Sequence, residues 1–440
     1  MRVKYFFSLF LLFISIPIVT AKAANSKPVL PIAHWITKNG VPVYFIAKSQ
    51  IPVIDIGIVF HAGSAYDGSS PGISQFTAKM LNQGTHNLNV EQIANRFESV
   101  GARYNMAINQ DMLILHLRSL SKPEYLNSAF NTFSELISHA NFPKNAIPRI
   151  KKQIEIALQQ EEQTPISIAH NAFYKTLYGQ HPYALPLLGT TQSIKQITRT
   201  KLVNFYQRYY VAKNAVVAIV GNITQDKAAI LAEQLVSTLP QGEKATPLPI
   251  PTPQLMNRIY KIPYPSQQTT ILLGQIGITL KDPDYFPLVL GNQILGGGIL
   301  TSQLFSKVRN DRGLCYGISS HFSTLQAAGP FIIGLQTRRN QVSTALSVTQ
   351  NILKKFVAKG PSEAELITAK QALIGSFPLT IANNAAILSS LEKIGFYELP
   401  LTYLDNYQDN LSHVNAKQVQ NVFQKHIKPG KLLIVMVGKN

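Results

Sequence analysis

The chain has 440 residues, 45% of them hydrophobic and 14% charged, with a formal net charge of +19 and a single cysteine. That apolar content supports a buried core and the length suits two or three domains. One cysteine excludes an internal disulfide framework, and basic residues dispersed without an arginine-rich run exclude the usual nucleic-acid-binding signatures, so no nucleic-acid partner is expected.

Taken in chain order, Met1-Arg-Val-Lys4, the apolar run Phe6 to Ile16 and the small-residue site Ala21-Lys-Ala23 predict a secretory signal peptide over residues 1–23. Its removal takes away Arg2, Lys4 and Lys22 and lowers +19 to +16. No later stretch reaches the roughly eighteen apolar residues of a membrane helix, so a soluble mature chain with no membrane span is expected. Residues 52–60 read as a strand rich in β-branched side chains. In residues 72–85 apolar Ile73, Phe76, Met80 and Leu81 recur at helical spacing, and Gly84 is expected to form the C-terminal cap. A second helix is predicted over 90–100, with Ile93, Phe97 and Val100 on one face and Gly101 as its stop. A strand at 112–117 and helices at 146–163 and 166–178 follow.

Residues 204–221 end in a helix, a polar turn and an apolar strand stopping at Val-Gly. Residues 421–438 repeat that order, and 269–277 echo the strand at 52–60. A repeat spaced by roughly 200 residues indicates duplication of a whole domain. Between the copies, residues 239–253 contain five prolines, which exclude a helix or a central strand and favour an extended connector. In the second copy Gly296, Gly297 and Gly298 are expected to let the backbone approach another chain closely and to adopt positive φ. A helix over 301–310 buries Leu304, Phe305 and Val308, and a strand over 314–320 takes Cys315 as a small apolar residue. Ser362 is the expected N-cap of a further helix. Strands and helices do not alternate strictly, so the fold class is α+β: two homologous domains, 24–238 and 255–440, each a mostly antiparallel sheet packed with helices, joined by the proline-rich linker 239–254.

Two phrases carry a resemblance. The frame Gly72, Met80, Leu81, Gly84, Thr85 and the run Leu295-Gly-Gly-Gly298 through Arg312-Gly-Leu-Cys-Tyr316 resemble the insulinase/pitrilysin metallopeptidases, the inverzincins. Tyr178-Gly-Gln-His-Pro-Tyr183 and Gly189-Thr190 extend the likeness over nearly all of the mature chain. That family carries His-x-x-Glu-His where this chain reads Gln75, Ala78 and Lys79. An amide is a poor zinc ligand, an ammonium has no lone pair and repels the ion, and a methyl group cannot serve as general base. The third ligand of the family aligns near Ile156 or Ala157, with Glu155 one register away. No catalytic or metal-binding residue is therefore expected in this chain.

The resemblance implies that Arg312 and Tyr316, with the glycines 296–298, face the active site and bind substrate. A guanidinium can grip a peptide carbonyl or carboxylate and a tyrosine hydroxyl can donate to an oxyanion. The plainer alternative leaves Arg312 solvating a helix C-terminus and Tyr316 packing in the sheet. His181 is assigned to a structural turn. In the bacterial branch of the family, the resemblance further implies, the two halves of the site sit on paired subunits. This chain would then be the substrate-binding half-chamber of a periplasmic heterodimeric endopeptidase, with zinc held by a His-x-x-Glu-His partner. A non-enzymatic peptide-binding or scaffold protein of the same fold is the alternative, and a homodimer with metal at Gln75 or His181 is a third.

Overall fold

Strands from the first half of the chain build one sheet and strands from the second half build another, in the same order. β1 (Ala33–Ile36), β2 (Pro42–Ala47), β3 (Val53–Phe60), β4 (Arg103–Ile108), β5 (Leu113–Leu120) and β6 (Ala215–Gly221) lie in the order β1-β2-β6-β3-β5-β4. β7 (Arg258–Pro263), β8 (Gln268–Ile276), β9 (Cys315–Phe322), β10 (Pro330–Arg338) and β11 (Leu433–Gly438) lie in the order β7-β11-β8-β10-β9. In each sheet the strand that ends in Val-Gly pairs parallel on one side and antiparallel on the other. The remaining pairs are antiparallel, so the duplication read from the sequence is a duplication of topology. This computed structural model describes residues 29–252 and 258–439; the expected signal peptide lies outside the described residues.

The helices of the first half are α1 (Ile73–Met80), α2 (Val90–Glu98), α3 (Pro123–Ser138), α4 (Ala146–Glu162), α5 (Pro165–Tyr178), α6 (Thr191–Gln196), α7 (Arg199–Tyr209) and α8 (Gln225–Ser237). Those of the second are α9 (Tyr285–Asn292), α10 (Val342–Lys359), α11 (Glu363–Ser376), α12 (Asn384–Phe396), α13 (Tyr407–Ser412) and α14 (Ala416–His426). Their ends follow local chemistry. Asn89 accepts from the Gln92 amide and Ser362 from the Glu365 amide, each inside a capping box. Gly84 departs from expectation: its φ of 165° is extended backbone, and α1 ends through a 3₁₀ turn, Leu81–Gln83. Glycine stands there because a Cβ would lie 2.8 Å from Pro143 Cγ.

Two helices cross to the other half. α5 presents Ala169, Phe173 and Leu177, spaced by four, to Leu272, Ile332, Leu433 and Val435 of the second sheet. α12 presents Ile387, Leu391 and Ile394 to Tyr44, Val216, Ala218 and Val220 of the first. Each fully buried side chain of this kind contributes about 1.5–3 kcal/mol, so each half supplies part of the other's core. The proline-rich segment is not a free tether either. Residues 240–252 carry neither helix nor strand, but the carbonyls of Pro240 and Gln241 accept from Ala212 and Lys213, and Ala245 N donates to Asn214. Among the described residues no single helix is long and apolar enough to cross a membrane.

Candidate substrate-binding site

α1 is held at its start by Asp67, whose carboxylate accepts from Gly72 N at 2.5 Å and Ser74 N at 3.0 Å. Gly72, at φ 88°, brings its backbone against Leu188. Burial pushes the Asp67 carboxyl up to about 7 in spite of these donors. The native state therefore holds this proton more tightly than the unfolded chain. Asp67 stabilises most below its ordinary pKa of 3.8, and that contribution is lost as pH rises through about 7. Urea titrations of Asp67→Asn are expected to show a flatter fall of stability over that window, by an amount on the order of 4 kcal/mol. An unchanged slope would mean that Asp67 does not titrate there.

Further along α1, Gln75 and Lys79 are half-buried, while Ala78 is 1% exposed and packed into the core. Gln75 Oε1 is buried without a hydrogen-bond partner, yet the donors that α1 itself offers do not suit zinc: an amide oxygen and an ammonium, with no carboxylate or imidazole in the helix. Glu155, Ile156 and Ala157 all lie on α4. Among the described residues the one cluster with metal-ligand spacing is Asp282, Asp284 and His426, at the start of α9, and there Lys425 Nζ already sits 2.6 Å from Asp284. His181 is committed to structure. Its Nδ1 accepts from Tyr183 N and its Nε2 donates to Pro249 O, which leaves no lone pair for a metal. Cys315 is buried in β9, and burial raises its thiol to about 11, which disfavours the thiolate a nucleophile would need.

The second constellation surrounds a groove of about 430 Å³ on the second sheet. Gly296, Gly297, Tyr316 and Gly317 are among its lining residues; Gly298 and Arg312 are not. None of Gly296, Gly297 or Gly298 adopts a positive φ, contrary to expectation. Gly296 and Gly297 fall in a π-helical turn, Gln293–Gly297, and the requirement is space: a Cβ on Gly296 would lie 2.7 Å from Ser320 N. The helix expected over 301–310 is π-helical from Phe305 to Asn310.

β9 and β10 are paired Ile318↔Leu335 and Cys315↔Thr337, so two residues, Tyr316 and Gly317, face the single Gln336. This bulge turns Tyr316 out of the sheet, leaving it 86% exposed, and rules out the alternative in which it packs. Arg312, by contrast, follows the plainer reading in this conformation: its guanidinium donates to Lys307 O at 2.6 Å, satisfying a helix-end carbonyl. Sequence reasoning overlooked Arg309. Its Nε donates to Tyr316 O at 2.8 Å, and its guanidinium lies 4.6 Å from the Phe305 ring centroid and 6.0 Å from that of Tyr316. Only an arginine one helical turn before a conspicuous Arg-Gly-Leu hinted at it.

The hairpin loop that follows β9 is clasped by the first domain. Asp111, fully buried in the β4–β5 turn, accepts from Tyr183 OH at 2.5 Å, Gln326 N at 2.7 Å and Tyr397 OH at 3.2 Å. Tyr183 OH in turn accepts from Ala327 N, and Tyr178 OH donates to Ala328 O. One carboxyl group thus ties the hairpins of both sheets and the end of α12 together.

Known proteins share this chain's features over most of its length. Residues 43–191 match the family described as insulinase, peptidase family M16, and residues 196–373 match the description peptidase M16 inactive domain. A Helicobacter pylori protein described as non-peptidase homolog YmxG is 26% identical across 92% of this chain and 93% of its own. A Bacillus subtilis protein described as an uncharacterized zinc protease, YmxG, is 25% identical across 89% and 94%. The crystal structure of a peptidase M16 inactive domain from Pseudomonas fluorescens superposes with a TM-score of 0.90 at 37% identity, covering 93% of this chain and 99% of that one.

Proposed function

Because this chain belongs to the insulinase family, peptidase family M16, and carries an amide, a methyl and an ammonium in place of that family's zinc machinery, we propose that it is the non-catalytic, substrate-binding subunit of a heterodimeric zinc-dependent endopeptidase. The observation that carries this reading is asymmetry within one chain. Gln75, Ala78 and Lys79 cannot assemble a metal site, while Tyr316 is presented on a bulge beside the Gly296–Gly297 turn at the mouth of a groove. A partner bearing His-x-x-Glu-His supplies zinc, its bound water and the general base. The expected signal peptide supports a periplasmic location for this chain. Tyr316 then donates to the scissile carbonyl, and Arg312 leaves its exposed position on Lys307 O to grip the peptide, exchanging one charge-assisted bond for another.

Purified alone, the chain is expected to contain no stoichiometric zinc by elemental analysis and to cleave no peptide. Mixed with a His-x-x-Glu-His paralogue, it restores cleavage, and the double variant Arg312→Ala, Tyr316→Ala loses about a hundredfold in kcat/KM. Undiminished turnover by that variant would remove the substrate-contact role. A second reading, a peptide-binding or scaffold protein with no enzymatic partner, is favoured by the description of the H. pylori relative as a non-peptidase homolog. Failure of every His-x-x-Glu-His paralogue encoded beside it to gain activity would select that reading.

A further inference from the structure

The two sheets repeat one another except at one edge. β2 and β7 hold the same place, each parallel to the strand that ends in Val-Gly. Val43 opposes Val217 and Ile259 opposes Ile434, and both partners lie four residues before the closing glycines, Gly221 and Gly438. In the first sheet β1 covers the outer side of β2, antiparallel, from Ala33↔Phe45 to Ile36↔Pro42. Among the described residues no strand covers the outer side of β7. β1 starts ten residues before Val43, and the residue ten before Ile259 is Pro249. The counterpart of β1 is thus Pro249-Ile-Pro-Thr252, which carries neither helix nor strand. Its two prolines have no N–H to give to a ladder. Pro249 O is drawn to the first domain, where it accepts from His181 Nε2 at 2.8 Å. The stretch that covers the edge in one repeat has become the connector in the other.

The edge so exposed is apolar at its middle and cationic around it. Ile259 is 53% exposed and Tyr260 46%. Lys261 stands opposite Met436, so it lies with Ile259 on the face of the sheet that meets the second core. There a recess of about 200 Å³ is lined by Lys261, Thr269, Arg339 and Lys439 among others, and by no aspartate or glutamate. Among the described residues none of Arg258, Lys261, Arg339 and Lys439 is ion-paired. A lysine on an edge strand discourages pairing with another basic edge. That includes a second copy of this chain, whose own β7 would set Arg258 and Lys261 against like charges. The same cations favour a strand that carries carboxylates.

We propose that the outer edge of β7 is a docking site for an extended acidic segment of a partner protein. The segment adds antiparallel to β7, as β1 does to β2, and places a carboxylate in the recess between Lys261, Arg339 and Lys439. Backbone hydrogen bonds along the edge supply affinity without regard to sequence, and the surrounding cations select the sign of the incoming charge. β9, which carries Tyr316, is the opposite edge of the same sheet. The docking site therefore goes beyond the substrate-binding role and does not depend on it.

The test uses the full chain alone and fluorescein-labelled nine-residue peptides that alternate valine with glutamate or valine with lysine, read by anisotropy. Amide hydrogen exchange reports where the peptide lies. The glutamate peptide is expected to bind at least about tenfold more tightly than the lysine peptide and to slow exchange over residues 258–263. The same glutamate peptide N-methylated at every residue keeps its charge and loses its amide donors, and is expected to bind at least about tenfold more weakly. Lys261→Glu, at an exposed position, is expected to weaken the glutamate peptide about tenfold. No saturable binding, equal affinity for the glutamate and lysine peptides, full affinity of the N-methylated peptide, or unchanged exchange over 258–263 at saturation would each overturn the proposal. So would a folded Lys261→Glu variant with unchanged affinity; the comparisons among peptides stand even if that variant does not fold. Binding of phosphatidylglycerol vesicles with no binding of the glutamate peptide would assign the cations to a membrane surface and overturn the proposal as well.

Discussion

Asp111→Ala is expected to lower unfolding free energy by about 4 kcal/mol, because it leaves two tyrosine hydroxyls and the Gln326 amide without their acceptor at the seam between the two domains. Urea unfolding read by both tyrosine fluorescence and far-UV circular dichroism measures it. Tyr397→Phe, which removes only the longest of the three bonds, is expected to cost about 1 kcal/mol. Burial outweighs the three donors and raises the Asp111 carboxyl above its ordinary value of 3.8. A raised native pKa means that the contribution is complete below that ordinary value and declines as pH climbs through the native one. The deficit of Asp111→Ala is therefore larger at pH 4 than at pH 8. A loss below 1 kcal/mol, or a deficit that grows with pH, would show that Asp111 does not hold the seam in this way.

His116→Ala is expected to cost about 3 kcal/mol at neutral pH. Glu392 of α12 is 2% exposed, and its Oε1 lies 2.6 Å from His116 Nε2 on β5. The neighbouring strand β3 makes room for this pair with Gly57, where any Cβ would collide with the Glu392 carboxyl group. Burial raises the Glu392 carboxyl, and the bond to His116 opposes that rise. Without His116 a buried carboxylate stands alone, which costs 3–5 kcal/mol in comparable pairs, until it takes up a proton. The deficit should accordingly shrink as pH falls and be greatest above neutrality. Thermal melts at pH 5 and pH 8 decide this; equal deficits at both would mean that Glu392 is neutral throughout.

Both predictions concern contacts between parts of the chain separated by hundreds of residues, and this is where reading the sequence ran out. Local signals were legible because they have local causes: the Ser362 cap and the Val-Gly strand ends. The cap expected at Gly84 and the positive φ expected at Gly296–Gly298 failed for the opposite reason. At Gly84 and Gly296 glycine answers a neighbour from elsewhere in the chain, Pro143 or Ser320, and at Gly296 this is the close approach that was expected. The β9 bulge that exposes Tyr316 is a matter of register with β10, and no spacing within residues 312–316 reports it.

Side-chain identity alone determined the central chemical fact. An amide, a methyl and an ammonium at positions 75, 78 and 79 make a poor donor set for zinc in any backbone, since donor atoms are a property of residues and not of folds. The topology of two repeated sheets was likewise written in the duplicated strand endings. Tertiary structure decided what the remaining groups do. It exchanged α5 and α12 between the halves, gave Arg312 a helix carbonyl and Arg309 the support of Tyr316, and, among the described residues, left the outer edge of β7 without the strand that β1 gives β2. These outcomes depend on packing and register between distant segments, where a shift of one residue reverses the face a side chain occupies.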